Sequence, residues 1–256
     1  MTKQPTNAAS RLITIASGKG GVGKTWLSVT LAHALARLGQ KVLLFDGDLG
    51  LANVDIQLGL VPDNDLGSIL TGDATLAQSI TNFSDPAGVK FDVIAGKSGS
   101  GALGSLATKT LTALRDDLVA FSKEYDHVLL DLAAGIDPSV STLSHHDGDI
   151  LVVMSGDPTS LTDAYAFIKL TVARNADAKI SIVVNNVATK KDGEKVYEAI
   201  KRAAEGFLKI SPPLAGIIKS DSKVVDAIRS QMPLLARHPQ SNAAADVMLL
   251  AGRLIG

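Results

Sequence analysis

Short, continuously apolar runs alternate along the chain with stretches whose apolar residues recur every third or fourth position. The runs Leu12–Ala16, Val42–Phe45, Phe91–Ala95, Val128–Asp131, Ile150–Met154, Ile180–Val184 and Leu214–Ile218 predict strands. Each is apolar at all but one position or throughout, as expected of strands covered on both faces in a parallel sheet. Between them the period changes to that of a helix. Leu27, Leu31, Leu35 and Leu38 line one face of the first, which Gly39 ends. Leu106, Leu111, Leu114, Leu118 and Phe121 repeat the pattern, and Thr159–Ala173, Gly193–Leu208, Ser222–Arg229 and Asn242–Leu254 follow.

Such an alternation predicts an α/β fold, a doubly wound and mostly parallel sheet with helices on both faces and right-handed crossovers. The stretch Gly96–Gly104 (GKSGSGALG) is too short to separate domains and reads as a loop bending over a surface. We therefore expect a flexible N-terminus over residues 1–10 and a single domain over 11–256.

Composition narrows the chemistry. The chain has 256 residues and a net charge of −1, so a broad basic face for direct DNA binding is disfavoured. Cysteine is absent, which removes disulfides, thiolate zinc sites, catalytic thiols and cysteine-held iron–sulfur clusters. No apolar run reaches the roughly 18 residues of a membrane span, and Met1–Ser10 has no apolar signal core. The expectation is a cytoplasmic protein.

The most informative segment is LITIASGKGGVGKTWLSVTLAHAL, which runs strand, glycine loop, helix. Gly18–Thr25 fits the phosphate-loop pattern G-x-x-x-x-G-K-[ST] in the context that the pattern requires. Glycines let backbone N–H groups close around a phosphate without Cβ obstruction, and the following helix adds its positive end. Lys24 brings a charge to the β- and γ-phosphates, and the Thr25 hydroxyl is placed for Mg²⁺. The nucleotide site is thus read as Gly18, Lys19, Gly20, Gly21, Val22, Gly23, Lys24, Thr25 and Trp26, the cofactors as ATP and Mg²⁺.

Carboxylates at strand ends answer the loop. In YDHVLLDLAAGID four apolar positions lead into Asp131, which we expect to bind Mg²⁺ through a water, with a flexible Ala-Ala-Gly after it and Gly135 as a switch hinge. In LLFDGDLGLANVD, Asp46 and Asp48 lie where a carboxylate can hold Mg²⁺ or orient a water. Asn185, at the end of SIVVNNV, offers a donor and an acceptor to an adenine edge, with Asn186 as its rival.

The second lysine of GKGGVGKT, Lys19, gives the chain its resemblance to the deviant-Walker MinD/ParA ATPases. Beyond the loop, DGDLGLANVDIQLGL, DPTSLTDAYAFIK, IVVNNV and PLLARHPQSNAA are most similar to the FlhG/FleN branch, which controls flagellar number and placement. The resemblance extends from about Leu12 to the last helix. It implies an ATP-bound homodimer in which Lys19 reaches the nucleotide of the other copy. It implies Asp48 as the residue that holds the metal or orients the attacking water, with Lys19, Lys24 and Asp48 catalytic. It also assigns Asn185 to the base, and implies a protein partner in flagellar or polar positioning machinery that recruits the protein to a pole or membrane. The chain departs from the family at Trp26, where a small residue is usual, at Leu132 and Ala133, and at Lys219, where a proline is common. Met1–Arg11 lacks the Asp-Gln-Ala motif with which FlhG-type proteins engage an SRP-type GTPase.

Other features read as structural. His145 and His146 diverge on any regular element and have no third ligand at metal spacing. The lysines at 190, 191, 195 and 201 interleave with acids, as on a solvated helix with ion pairs. The tail VMLLAGRLIG has one arginine and no aromatic anchor, so it reads as a helix packed on the sheet and direct membrane binding is not expected. Two alternatives to a flagellar switch remain: a ParA- or MinD-type ATPase positioning DNA, septum or other cargo, and a metabolic ligase of the dethiobiotin or cobyrinate type. A cluster-carrying relative is excluded by the missing cysteines.

Overall fold

The computed structural model describes residues 11–96 and 106–256. The expected flexibility of residues 1–10 lies outside that range, as does most of the loop Gly96–Gly104. The chain runs β1 (Leu12–Ser17), α1 (Lys24–Arg37), β2 (Val42–Gly47), α2 (Val54–Leu58), α3 (Leu66–Thr71), β3 (Thr81–Ser84) and β4 (Lys90–Ile94). It continues through α4 (Thr108–Phe121), β5 (His127–Ala134), α5 (Pro138–Leu143), β6 (Asp149–Met154), α6 (Pro158–Arg174) and β7 (Lys179–Val187). Last come α7 (Lys190–Ala203), β8 (Leu214–Lys219), α8 (Lys223–Arg229), α9 (Leu234–Arg237) and α10 (Asn242–Ile255).

The described strands form one sheet of eight, ordered β3-β4-β2-β5-β1-β6-β7-β8. All neighbours are parallel except β3 and β4. Every apolar run read as a strand is one. The strand that the sequence did not announce, β3, is an antiparallel edge of four residues with one buried side chain, Phe83. Its TNFS sequence is too short and too polar to stand out.

Alternation along each strand divides the interior in two. Ile13, Ile15, Val42 and Leu44 face a core built with α1, α9 and α10, whereas Leu12, Ala16, Leu43 and Phe45 face the core under α4, α5, α6 and α7. Helix α1 is buried almost all round because α10 covers the side turned from the sheet. Helix α10 thus packs on α1 and β8, as read from its sequence. Helix α7 ends in one π-helical turn, Ala204–Leu208, and begins earlier than its periodicity suggested because Thr189 caps it, accepting from the Asp192 N–H at 3.1 Å. Its surface carries the expected pairs, Lys190 with Glu194 and Lys195 with Asp192.

His146 is a structural residue. Its Nδ1 accepts from the Gly148 N–H at 3.0 Å, so Nε2 carries the proton and donates to Thr14 Oγ1 at 2.6 Å. Burial pushes its pKa down to about 4, favouring the neutral ring.

Candidate functional site

A parallel sheet opens its crevices at the carboxyl ends of its strands, and here β1, β2 and β5 end together. Over them lies a cavity of about 780 Å³, walled by residues 19–26, 48–51 and 137–139 with Ser17, Asn53, Gln57, Ala133, Ala134 and Ile228. The loop after β1, the segment after β2 and the segment after β5 therefore share one space, as the sequence motifs required.

Gly18 is not in that wall. A Cβ there would stand 2.0 Å from the carbonyl oxygen of Asp163 on α6, so this glycine lets the helix pack against the root of the loop. At Gly23 the backbone is left-handed (φ 86°), and a Cβ would meet the Asn185 amide nitrogen at 2.5 Å. Gly20 and Gly21 have nothing within 4 Å on that side, and Gly20, Gly21 and Val22 line the cavity. Space for a phosphate group is thus left by the loop itself.

Lys24 is buried at the first turn of α1, with Nζ 3.3 Å from Asp131 Oδ1. The same oxygen accepts from Ser28 Oγ at 2.9 Å, a contact that the motif does not announce. Ser28 is four residues past Lys24 and so on the same helix face, a spacing that could have exposed it. Asp131 is fully buried beneath the loop, and its Oδ2 has no partner. An unpartnered carboxylate oxygen under a phosphate loop, beside the half-buried Thr25, suits a divalent cation with its waters. β5 continues past Asp131 to Ala134, which pairs with Ser17, so Ala133 and Ala134 are strand and not the flexible linker expected from their small side chains. The break comes at Gly135, whose backbone is left-handed (φ 105°) and whose N–H donates to the Ser17 carbonyl at 2.8 Å.

Asp46 faces Asp131 across adjacent strands. Its carboxylate accepts from the backbone N–H groups of Asp48 (3.1 Å), Asn53 (3.0 Å) and Val54 (3.1 Å), and so ties down the segment that carries Asp48. Burial first, then the nearby Asp131 charge, pushes its pKa up to about 7, against the pull of those donors. Asp48 lines the cavity, and its Oδ1 accepts from the Gly50 and Leu51 N–H groups at 3.0 and 2.9 Å, an Asx turn that fixes the side chain at the rim.

Lys19 also lines the cavity but is turned to α6, where Nζ donates to Thr159 Oγ1 at 2.6 Å. Asn185 is not in the wall. Its amide donates to the Val22 carbonyl at 2.7 Å, so in this structure it supports the loop from behind and is not open to a base. Asn186 adopts a left-handed conformation (φ 58°) at the same strand end. Trp26 lies against the cavity and is only 5% exposed, with its indole N–H unpartnered. Lys219 is engaged by α10 through an ion pair with Asp246 at 3.6 Å. Among the described residues no group of three or more acids and histidines is gathered to hold a metal ion.

The family description "CobQ/CobB/MinD/ParA nucleotide binding domain" matches residues 13–234. The chain belongs to this family. Membership makes the chain a nucleotide-binding P-loop ATPase of the MinD/ParA type. Among curated relatives, the antiactivator FleN of Pseudomonas aeruginosa is 33% identical over 234 residues, covering 91% of this chain and 82% of FleN. The flagellum site-determining protein YlxH of Helicobacter pylori is 30% identical over 248 residues, covering 96% of this chain and 82% of YlxH. Among solved structures, the cell division ATPase MinD of Pyrococcus furiosus superposes with a TM-score of 0.79 at 25% identity, covering 96% of this chain and 98% of that one. The likeness therefore extends over nearly the whole fold described above. Among the described residues no helix is long and apolar enough to cross a membrane.

Proposed function

We propose that this ATPase is a nucleotide-driven dimerisation switch that sets flagellar number or placement. The observation that carries the switch is the position of Lys19. It stands at the cavity rim, held by a neutral hydroxyl, while Lys24 alone occupies the buried phosphate position. A rim lysine that ends outside its own phosphate site supports the reading that it serves a second copy's nucleotide. The flagellar assignment rests on the likeness to FleN and YlxH.

Backbone N–H groups of the loop would cradle the triphosphate, with Lys24 moving from Asp131 to its β- and γ-oxygens. Mg²⁺, when bound, neutralises charge on those oxygens, and Thr25, Asp131 and Asp48 would hold it. Asp48 would also accept a hydrogen bond from the attacking water and so orient it in line with the γ-phosphorus. Lys19 of the second copy would stabilise negative charge as phosphoryl transfer to water proceeds, and loss of the γ-phosphate would release the segment hinged at Gly135. Asn185 contributes to base binding only if nucleotide entry frees its amide from Val22; otherwise it positions the loop.

The test uses Asp48→Ala, which should bind ATP, hydrolyse it at least about a hundredfold more slowly and accumulate a dimer visible by light scattering. Normal turnover in that variant would remove Asp48 from the mechanism. A deletion strain viewed by electron microscopy should show altered flagellar number. Normal flagella with misplaced septa would move the protein to the role named for the Pyrococcus relative.

A further inference from the structure

We propose that Ser28 is a positioning residue for the Mg²⁺ site, holding the Asp131 carboxylate in one rotation after Lys24 leaves it for the phosphates. The inference rests on the ATPase reading above and extends it to a residue outside the loop. Ser28 is fully buried on α1, one turn beyond Lys24. Its Oγ lies 2.9 Å from Asp131 Oδ1 and 3.1 Å from the Lys24 carbonyl oxygen. A hydroxyl has one proton to give, and the nearer, charged acceptor takes it. Lys24 Nζ approaches the same Oδ1 at 3.3 Å, while Oδ2 has no partner. Both donors therefore act on one oxygen and leave the other unsatisfied.

Lys24 cannot serve Asp131 and a triphosphate with equal strength, because its ammonium is a single charge at the end of a flexible stem. Once Lys24 turns to the phosphates, Ser28 is the remaining side-chain donor to Asp131 among the described residues. Asp46 lies opposite Asp131 on the neighbouring strand, and its own oxygens are taken up by backbone N–H groups, so it offers Asp131 no donor. The Ser28 hydroxyl is then what fixes the rotation of the Asp131 carboxylate. It acts through Asp131 and touches neither nucleotide nor metal, so its loss should weaken the coupling between metal and nucleotide and spare the metal-free affinity.

The experiment measures ADP affinity by calorimetry in saturating MgCl₂ and in EDTA, for the full chain and for Ser28→Ala, Ser28→Cys and Ser28→Thr. The ratio of the two affinities is the readout. Loss of one hydrogen bond to a charged group should reduce that ratio about tenfold in Ser28→Ala and Ser28→Cys, with the EDTA affinity within about twofold of the parent. Ser28→Thr retains the hydroxyl and should restore the ratio. Ser28→Cys preserves volume, so it answers the question if the alanine variant folds poorly. A parent-like ratio in a folded Ser28→Cys overturns the proposal, as does an equal loss of both affinities, which a purely structural role would give. Absence of Mg²⁺-dependent affinity in the parent chain itself is a separate result, and it overturns the ATPase reading on which Ser28 depends.

Discussion

Individual side chains at the site fall into those whose chemistry was plain from the motif and those that needed neighbours in space. Lys24, Thr25 and Asp131 belong to the first group, since a loop lysine, a loop hydroxyl and a strand-end carboxylate each follow from local pattern. Ser28 and the unpartnered Oδ2 of Asp131 belong to the second, because nothing local pairs residues separated by 103 positions. Trp26 is the chain's single tryptophan and packs beside the loop at 5% exposure, so its emission should report ligand entry without any label. Adding Mg-ATP should shift or quench that emission saturably, and Lys24→Ala should abolish the response, since it removes charge-assisted bonds worth roughly 1.5–3 kcal/mol each. An unresponsive parent chain would detach Trp26 from the nucleotide site.

His146 allows a second test at this scale. Its folded pKa of about 4 lies below the ordinary 6.5, so between those values the unfolded chain binds more protons. Stability therefore rises with pH across that window and is lost on acidification. Asp46 has the opposite sign, because its folded pKa of about 7 lies above the ordinary 3.8 and the native state holds the extra proton. The Asp46 contribution is common to parent and variant and cancels between them. The stability advantage of the parent over His146→Gln should grow by about 2–3 kcal/mol as pH rises from 4 to 6.5. A pH-independent difference in denaturation midpoints would refute this account of His146.

Among elements, α1 bears most of the structural demands. Its first two turns present Lys24 and Ser28 to Asp131, its body fills the space between sheet and α10, and its residues Leu27, Leu31 and Leu35 are fully buried. Leu31→Ala should destabilise the protein by about 2–5 kcal/mol, the usual cost of a cavity at such a site, with nucleotide affinity preserved in the folded fraction. Gly18→Ala tests a different junction. Its Cβ would lie 2.0 Å from a backbone carbonyl of α6, which no rotamer change can relieve, so the loop root and α6 must separate. Thermal melting should show a loss larger than for Gly20→Ala, whose Cβ enters open space. Equal melting of the two variants would show that α6 yields more readily than its packing implies. The helices α1, α4, α6, α7, α8 and α10 were legible because each carries an apolar stripe long enough to show its period. The short α2, α3, α5 and α9 were not, since four to six residues hold too few turns for a period to emerge.

For the whole molecule the decisive question is whether two copies share the nucleotide. Light scattering should find a dimer when Mg-ATP is present and hydrolysis is blocked by Asp48→Ala, and Lys19→Ala in that background should return it to a monomer that still binds ATP. A dimer of undiminished stability would end the role of Lys19 in the second copy. Amino-acid order alone was enough to specify the seven apolar strands, the main helices and the phosphate loop, because periodicity and glycine spacing are local properties that burial merely enforces. The order of strands around β1, the confinement of Gly18 and Asn185 behind the loop, and the convergence of Lys24, Ser28, Asp46 and Asp131 emerged only in three dimensions. They depend on which strands become neighbours, and that choice is made by packing the whole chain at once.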